Sequence, residues 1–166
     1  SNGHHGKIVG ATWVRVDAES SLTPTNVTNA DGWVPLFNGK DLTGWKTHPE
    51  LPGHFEVKEG GLIGSQQRTF FFSERGDYEN FHLRARVKIS EGGDSAITFG
   101  HGFALRNIVP LMPQGFEANI QSVHKTGSLW VPGAPLVTPA EDLVTPNQWF
   151  TMEVIVQGKQ IVIKVN

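Results

Sequence analysis

Apolar and polar residues alternate strictly along Phe81-His-Leu-Arg-Ala-Arg-Val-Lys-Ile89. The odd positions are apolar, and the even positions are His, Arg, Arg and Lys. A period of two marks an extended strand with one buried and one polar face. Phe116-Glu-Ala-Asn-Ile-Gln121 alternates in the same way, which sends Phe116, Ala118 and Ile120 inward and Glu117, Asn119 and Gln121 to the opposite face. Ser95–Phe99 follows the first strand after Gly92-Gly93-Asp94, and the pair reads as a hairpin. Matching apolar to apolar sets its register: Ile97 against Ile89, Phe99 against Val87, Thr98 against Lys88 and Gly100 against Arg86. A slip of one residue would set apolar side chains against arginine. Trp149–Val156 and Gln160–Val165 form another hairpin around Gly158-Lys159.

Shorter strands are predicted at Ile8–Asp17, His54–Val57, Gly61–Gly64, Thr69–Phe72 and Leu129–Val131. Val131–Pro146 holds four prolines and reads as a long loop. No helix beyond a turn, no internal repeat and no low-complexity segment is predicted. Ser20–Asp31 is rich in Ser, Thr and Asn and reads as a linker, so residues 1–31 form an amino-terminal strand and linker and residues 32–166 the domain proper. Many strands at a spacing of about 8–12 residues, divided by 19 glycines and 10 prolines, imply a β-sandwich or barrel.

Composition narrows the function classes. A chain of 166 residues supports one domain with a real core. A net charge of −2 and a pI near 6.4 argue against a nucleic-acid or membrane-surface binder, because such partners need a basic surface. Cysteine is absent, which excludes disulfides, thiolate metal sites and a cysteine nucleophile. No apolar run approaches the ~20 residues of a membrane helix, so no membrane insertion is expected. The start, Ser-Asn-Gly-His-His-Gly, reads as a clipped beginning. No glycine-rich phosphate loop or nucleophile elbow occurs, and no cofactor or metal is expected.

One segment is more specific. Trp33-Val-Pro-Leu-Phe-Asn-Gly-Lys-Asp-Leu-Thr-Gly-Trp45 packs aromatic and aliphatic residues around two turn sites, Asn38-Gly39 and Thr43-Gly44. By local physics it is an aromatic-anchored loop, with Trp33, Trp45 and Trp149 expected in the core. Its wording resembles the opening of the 3-keto-disaccharide hydrolase-like family. Phe55–Gly64, Ser73–Arg84, Gly93–Phe99, Gly115–Ile120, Thr126–Trp130 and Gln148-Trp149 are similar to further family phrases in the same order. The resemblance implies an all-β, concanavalin A-like jelly-roll sandwich and a hydrolase acting on 3-keto-glycosides. It also implies a bacterial, extracytoplasmic setting. The alternative is a non-catalytic glycan-binding or sensor module of a larger cell-surface protein, including kinase-like ones. Relatives continue beyond the point matching Asn166, so closing carboxy-terminal strands are expected to be missing. The uncovered sheet edges would then be covered by Ile8–Asp17 or by self-association.

Candidate chemistry centres on Glu117. It shares a polar strand face with Asn119 and Gln121, amides suited to sugar hydroxyls, and it is the position where the family carries a glutamate. A carboxylate there is either a general base or a solvated glutamate on an outer face. The chain lacks the two flanking carboxylates of ordinary glycosidases on one strand. A 3-keto sugar relaxes that need, because its carbonyl acidifies the adjacent C–H, and one base plus a group stabilising the enolate suffices. Arg86, His124 or a metal ion are the candidates for that second role, and Glu117, His101 and His124 are the set that could gather around such an ion. Where the family has an arginine this chain has Gly100, and where it has a glutamate this chain has Arg86. In the predicted register Arg86 faces Gly100, so either the guanidinium comes from the neighbouring strand or the site has lost catalytic competence. Trp130 and Tyr78 are candidates for stacking on sugar rings. His101 follows Gly100 as a further loop histidine.

Overall fold

The computed structural model describes residues 9–10, 12–16, 32–65, 69–100, 102–103, 105–106, 112–122 and 125–166. The described chain contains strands and no helix. In order these are β1 (Val9–Gly10), β2 (Thr12–Val16), β3 (Val34–Pro35), β4 (Trp45–Thr47), β5 (His54–Lys58) and β6 (Gly61–Ser65). They continue with β7 (Phe71–Ser73), β8 (Phe81–Lys88), β9 (Asp94–Phe99), β10 (Leu105–Arg106) and β11 (Met112–Pro113). The last are β12 (Phe116–Gln121), β13 (Leu129–Val131), β14 (Ala134–Val137), β15 (Trp149–Gln157) and β16 (Gln160–Val165).

Two sheets dominate. A five-stranded sheet runs β16-β15-β8-β2-β3, and a four-stranded sheet runs β14-β13-β12-β9. Every pairing within them is antiparallel. They share one core, as in a β-sandwich. Phe81, Ala85 and Val87 of β8, Ile89, and Phe150, Met152 and Val154 of β15 meet Ala118 and Ile120 of β12. Ile97 and Phe99 of β9 pack against this cluster. Period-two alternation makes this possible, because each strand turns one uniform apolar row toward the other sheet.

The predicted hairpin of Phe81–Ile89 with Ser95–Phe99 does not form. A turn does follow β8, with the Gly93 N–H donating to the Ser90 carbonyl at 2.9 Å. It carries the chain across to the opposite sheet. β8 pairs with β15 and β2, whereas β9 pairs with β12, Phe99 opposite Phe116 and Thr98 opposite Glu117. The apolar rows of β8 and β9 therefore face each other across the core, and Arg86 and Gly100 are not cross-strand neighbours. Alternation fixes which side of a strand is buried, and two facing sheets satisfy it as well as one hairpin does.

Two other expectations change. The proline-rich 131–146 segment contains β14, which folds back on β13 through Pro132-Gly133. Pro135 is tolerated there because β14 is an edge strand, which does not need its missing N–H. Trp149 is not core: it is 43% exposed, since it shares strand parity with Thr151 and Glu153 and not with Phe150 and Met152. Part of the amino-terminal segment joins the five-stranded sheet, where β2 lies between β8 and β3. The linker at 20–31 lies outside the described residues.

A satellite cluster holds the Trp33–Trp45 segment. Trp45 stacks on Phe71 with ring centres 5.0 Å apart, and Phe71 stacks on Phe55 at 4.3 Å. The Trp45 indole N–H donates to the Leu36 carbonyl at 2.7 Å. Asn38 Oδ1 accepts from the backbone N–H groups of Lys40 and Asp41 at 2.8 and 3.0 Å, the side-chain turn its residue type favours.

The shared core gives a direct stability test. Ile120 is fully buried between the sheets, so Ile120→Ala is expected to cost about 2–5 kcal/mol. Val162 lies exposed on the outer face of β16, and Val162→Ala is expected to stay within about 0.5 kcal/mol. Urea denaturation of both variants measures the contrast.

Candidate functional site

The outer face of the four-stranded sheet carries the Glu117 row. β12 is an inner strand of that sheet, flanked by β9 and β13. Glu117 stands opposite Thr98 on one side and Trp130 on the other. Residues directly opposite in an antiparallel pair share a face, so the acid, the hydroxyl and the indole are grouped by register alone. Asn119 is opposite Ala96 and Gln121 is opposite Asp94. Thr98 and Asp94 are additions to the sequence-derived set; their signal was parity with Glu117 once β9 is paired to β12.

The row is ordered from beneath. Asn119 is only 6% exposed, and its amide N–H donates to Gln121 Oε1 at 3.1 Å. It therefore orients Gln121, which stays half-buried at the surface. The turn following β12 is locked by Thr126, whose hydroxyl donates to the Gln121 carbonyl at 2.7 Å and accepts from the Gln121 N–H at 3.0 Å. Gly127 and Ser128 both oppose Asn119: the Gly127 N–H donates to the Asn119 carbonyl and the Asn119 N–H to the Ser128 carbonyl, each at 2.9 Å. This is a β-bulge whose first residue, Gly127, has φ of 94°, a backbone region open to glycine. The bulge sets Trp130, rather than a neighbour, opposite Glu117. The Trp130 indole nitrogen is buried with no hydrogen-bond partner among the described residues.

The other predicted residues go elsewhere. Arg86 is exposed on the outer face of the five-stranded sheet, on the far side of the sandwich from Glu117, with its guanidinium 5.4 Å from the Trp149 ring centre. The expectation that it supplies the missing arginine is therefore wrong. Gly100 has φ of 71°, and a Cβ there would lie 3.3 Å from the Phe116 ring. This backbone disfavours any side chain at position 100. Tyr78 packs against the core, edge-on to Phe81 at 6.4 Å and beneath the Arg75 guanidinium at 5.0 Å. Burial pushes its phenol pKa up. It is not part of the Glu117 face. His124 and His101 lie outside the described residues. Among the described residues no group of His, Asp and Glu is placed to hold a metal ion.

Strands β9, β12, β13 and β14 contain no Lys, Arg or His. The opposite outer face is cationic. There Glu153 accepts from Arg84 Nε at 2.7 Å and is 2.8 Å from His82 Nε2. Arg84 and His82 also contact Trp33, the guanidinium 4.6 Å from its ring centre and the imidazole edge-on at 4.9 Å. Burial opposes ionisation of Glu153, but the hydrogen bonds from His82 and Arg84 outweigh it and hold the carboxyl below the usual glutamate range.

A depressed folded-state pKa stabilises the fold above the ordinary glutamate value of about 4.3, and this contribution is lost as pH falls through the lower folded value. Glu153→Gln is expected to lose about 1 kcal/mol at neutral pH, the scale of a half-buried ion pair partly screened by solvent. The gap to the parent should close in acid. Chemical denaturation of both proteins at neutral and acidic pH reads the change.

No curated protein and no solved structure matches the chain. The sequence model of the 3-keto-alpha-glucoside-1,2-lyase-like domain matches residues 32–166, which span the Trp33–Trp45 segment and both large sheets apart from β2. Over this stretch the chain belongs to the 3-keto-alpha-glucoside-1,2-lyase-like domain family.

Proposed function

We propose that the domain is a jelly-roll sandwich that cleaves 3-keto-glycosides on the outer face of its four-stranded sheet, with Glu117 as the base. Glu117 carries this reading: a carboxylate on an inner strand, directly across from the aromatic ring of Trp130. The indole offers a flat apolar surface to the C–H face of a sugar, and Gln121 and Thr98 offer polar groups to its hydroxyls.

The chemistry follows from the ketone. The carbonyl at C3 acidifies the proton on C2, which the Glu117 carboxylate removes. The electron pair passes to the C3 oxygen as an enolate. The enolate then re-forms the ketone and expels the glycosidic oxygen from C1, which takes its proton from the newly formed Glu117 carboxylic acid. A C1=C2 double bond remains. Water adding across that bond turns the elimination into a net hydrolysis, so the lyase and hydrolase outcomes share their first step. One carboxylate suffices, which fits a sheet lacking the paired acids of ordinary glycosidases. Enolate stabilisation falls to groups at the strand ends, of which His124 is the candidate by sequence.

A second reading is a glycan-binding module without turnover. The lack of Lys, Arg and His on all four strands of this sheet favours it, because none of these strands supplies a cation for the enolate. Incubating the protein with a 3-keto-disaccharide and following release of the second sugar separates the two. Catalysis predicts a loss of about 10²–10⁴-fold in Glu117→Gln. Saturable binding with no product from the parent protein decides for the module.

A further inference from the structure

The outer face of the five-stranded sheet has a chemistry that the Glu117 site does not use. Along β8 the outward positions are His82, Arg84, Arg86 and Lys88, about 7 Å apart as alternate residues of one strand. Arg84 is engaged by Glu153. Among the described residues, neither Arg86 nor Lys88 forms an ion pair. Both instead lie over one indole, the Arg86 guanidinium 5.4 Å and the Lys88 ammonium 5.2 Å from the Trp149 ring centre. That ring is 43% exposed on β15. Thr151 is paired with Arg86 in the same outward row. Two cations gathered at one half-exposed aromatic ring repel each other, and an anion bound between them relieves that repulsion.

From this arrangement we infer that the β8–β15 outer face binds an acidic glycan, a sugar chain bearing carboxylates, separately from the Glu117 site. The apolar indole of Trp149 takes the C–H face of a sugar ring, Arg86 and Lys88 take the carboxylates, and Thr151 takes a hydroxyl. A duplex nucleic acid fits less well. The cationic row is one strand long, too short to follow a duplex backbone, and only Arg86 and Lys88 in it are not drawn to Glu153. The whole chain also carries a net charge of −2, so the attraction is local to this face.

Calorimetric titration of the full chain with a galacturonic acid oligomer tests the inference, at an ionic strength of about 0.15 M. Saturable binding is expected, with none to the fully methyl-esterified oligomer. Neutralising the row in Arg86→Gln/Lys88→Gln should weaken binding about tenfold or more, and Trp149→Ala should weaken it independently. Both changes are at the surface, and a thermal melt matching the parent confirms the fold. Glu117→Gln should bind the oligomer as the parent does, which keeps this result separate from the fate of the 3-keto-glycoside reading. The inference is overturned if Arg86→Gln/Lys88→Gln binds like the parent, if the methyl ester binds equally well, or if duplex DNA at the same charge concentration binds as tightly.

Discussion

The contact of β12 with β8 and β15 across the core decides the rest of the molecule. Ala118 and Ile120 are fully buried against Val87, Ile89, Met152 and Val154, and burial of that apolar surface is the main force holding two sheets together. Side chains alternate with a period of two, so anchoring Ala118 and Ile120 inward leaves Glu117, Asn119 and Gln121 only the outward direction. The same constraint on Ala85 and Val87 turns Arg84, Arg86 and Lys88 out of the opposite sheet. Face-to-face sheets pack about 10 Å apart, and outward side chains from both add to that. No rotamer of Arg86 brings its guanidinium to Glu117.

This separates what the sequence discloses from what it conceals. Strands β8, β12, β15 and β16 are legible because alternation is a local property of a few successive residues. The choice of partner strand is not local. Ile89 and Phe99 need an apolar environment, and a sheet on the far side of the core supplies one as readily as a neighbouring strand does, so the Arg86–Gly100 pairing was underdetermined. Trp149 shows the opposite case. Its size and apolarity suggest core, yet it has the parity of Thr151 and Glu153, and on a strand parity outranks residue type. Strand β14 was hidden because Pro135 and three further prolines suggest a loop, a rule that holds for inner strands and lapses at an edge.

The candidate site was readable to the same depth. The row of Glu117, Asn119 and Gln121 follows from periodicity alone. Placing Trp130 opposite Glu117 needs the bulge at Gly127 and Ser128, where a single extra residue shifts the register, and a glycine after a threonine does not announce it. The cationic row is legible in the alternation of Phe81–Ile89, whereas the net charge hides it, because averaging over the chain cancels a local excess. Asn119 was correctly placed on the polar face, but its burial makes it a support for Gln121, a distinction that depends on how closely the flanking strands pack.

The two outer faces also bear on the proposed role of Glu117 as a base. A guanidinium beside a carboxylate lowers its pKa and with it the strength of the base, as the Glu153 cluster shows on the other side of this molecule. Strands β9, β12, β13 and β14, by contrast, carry no Lys, Arg or His. The same arrangement leaves the developing enolate without a strand-borne countercharge. In the proposed elimination, the group that stabilises the enolate comes from outside these four strands. Gly100 does not meet that demand, because its left-handed backbone disfavours any side chain at the end of β9.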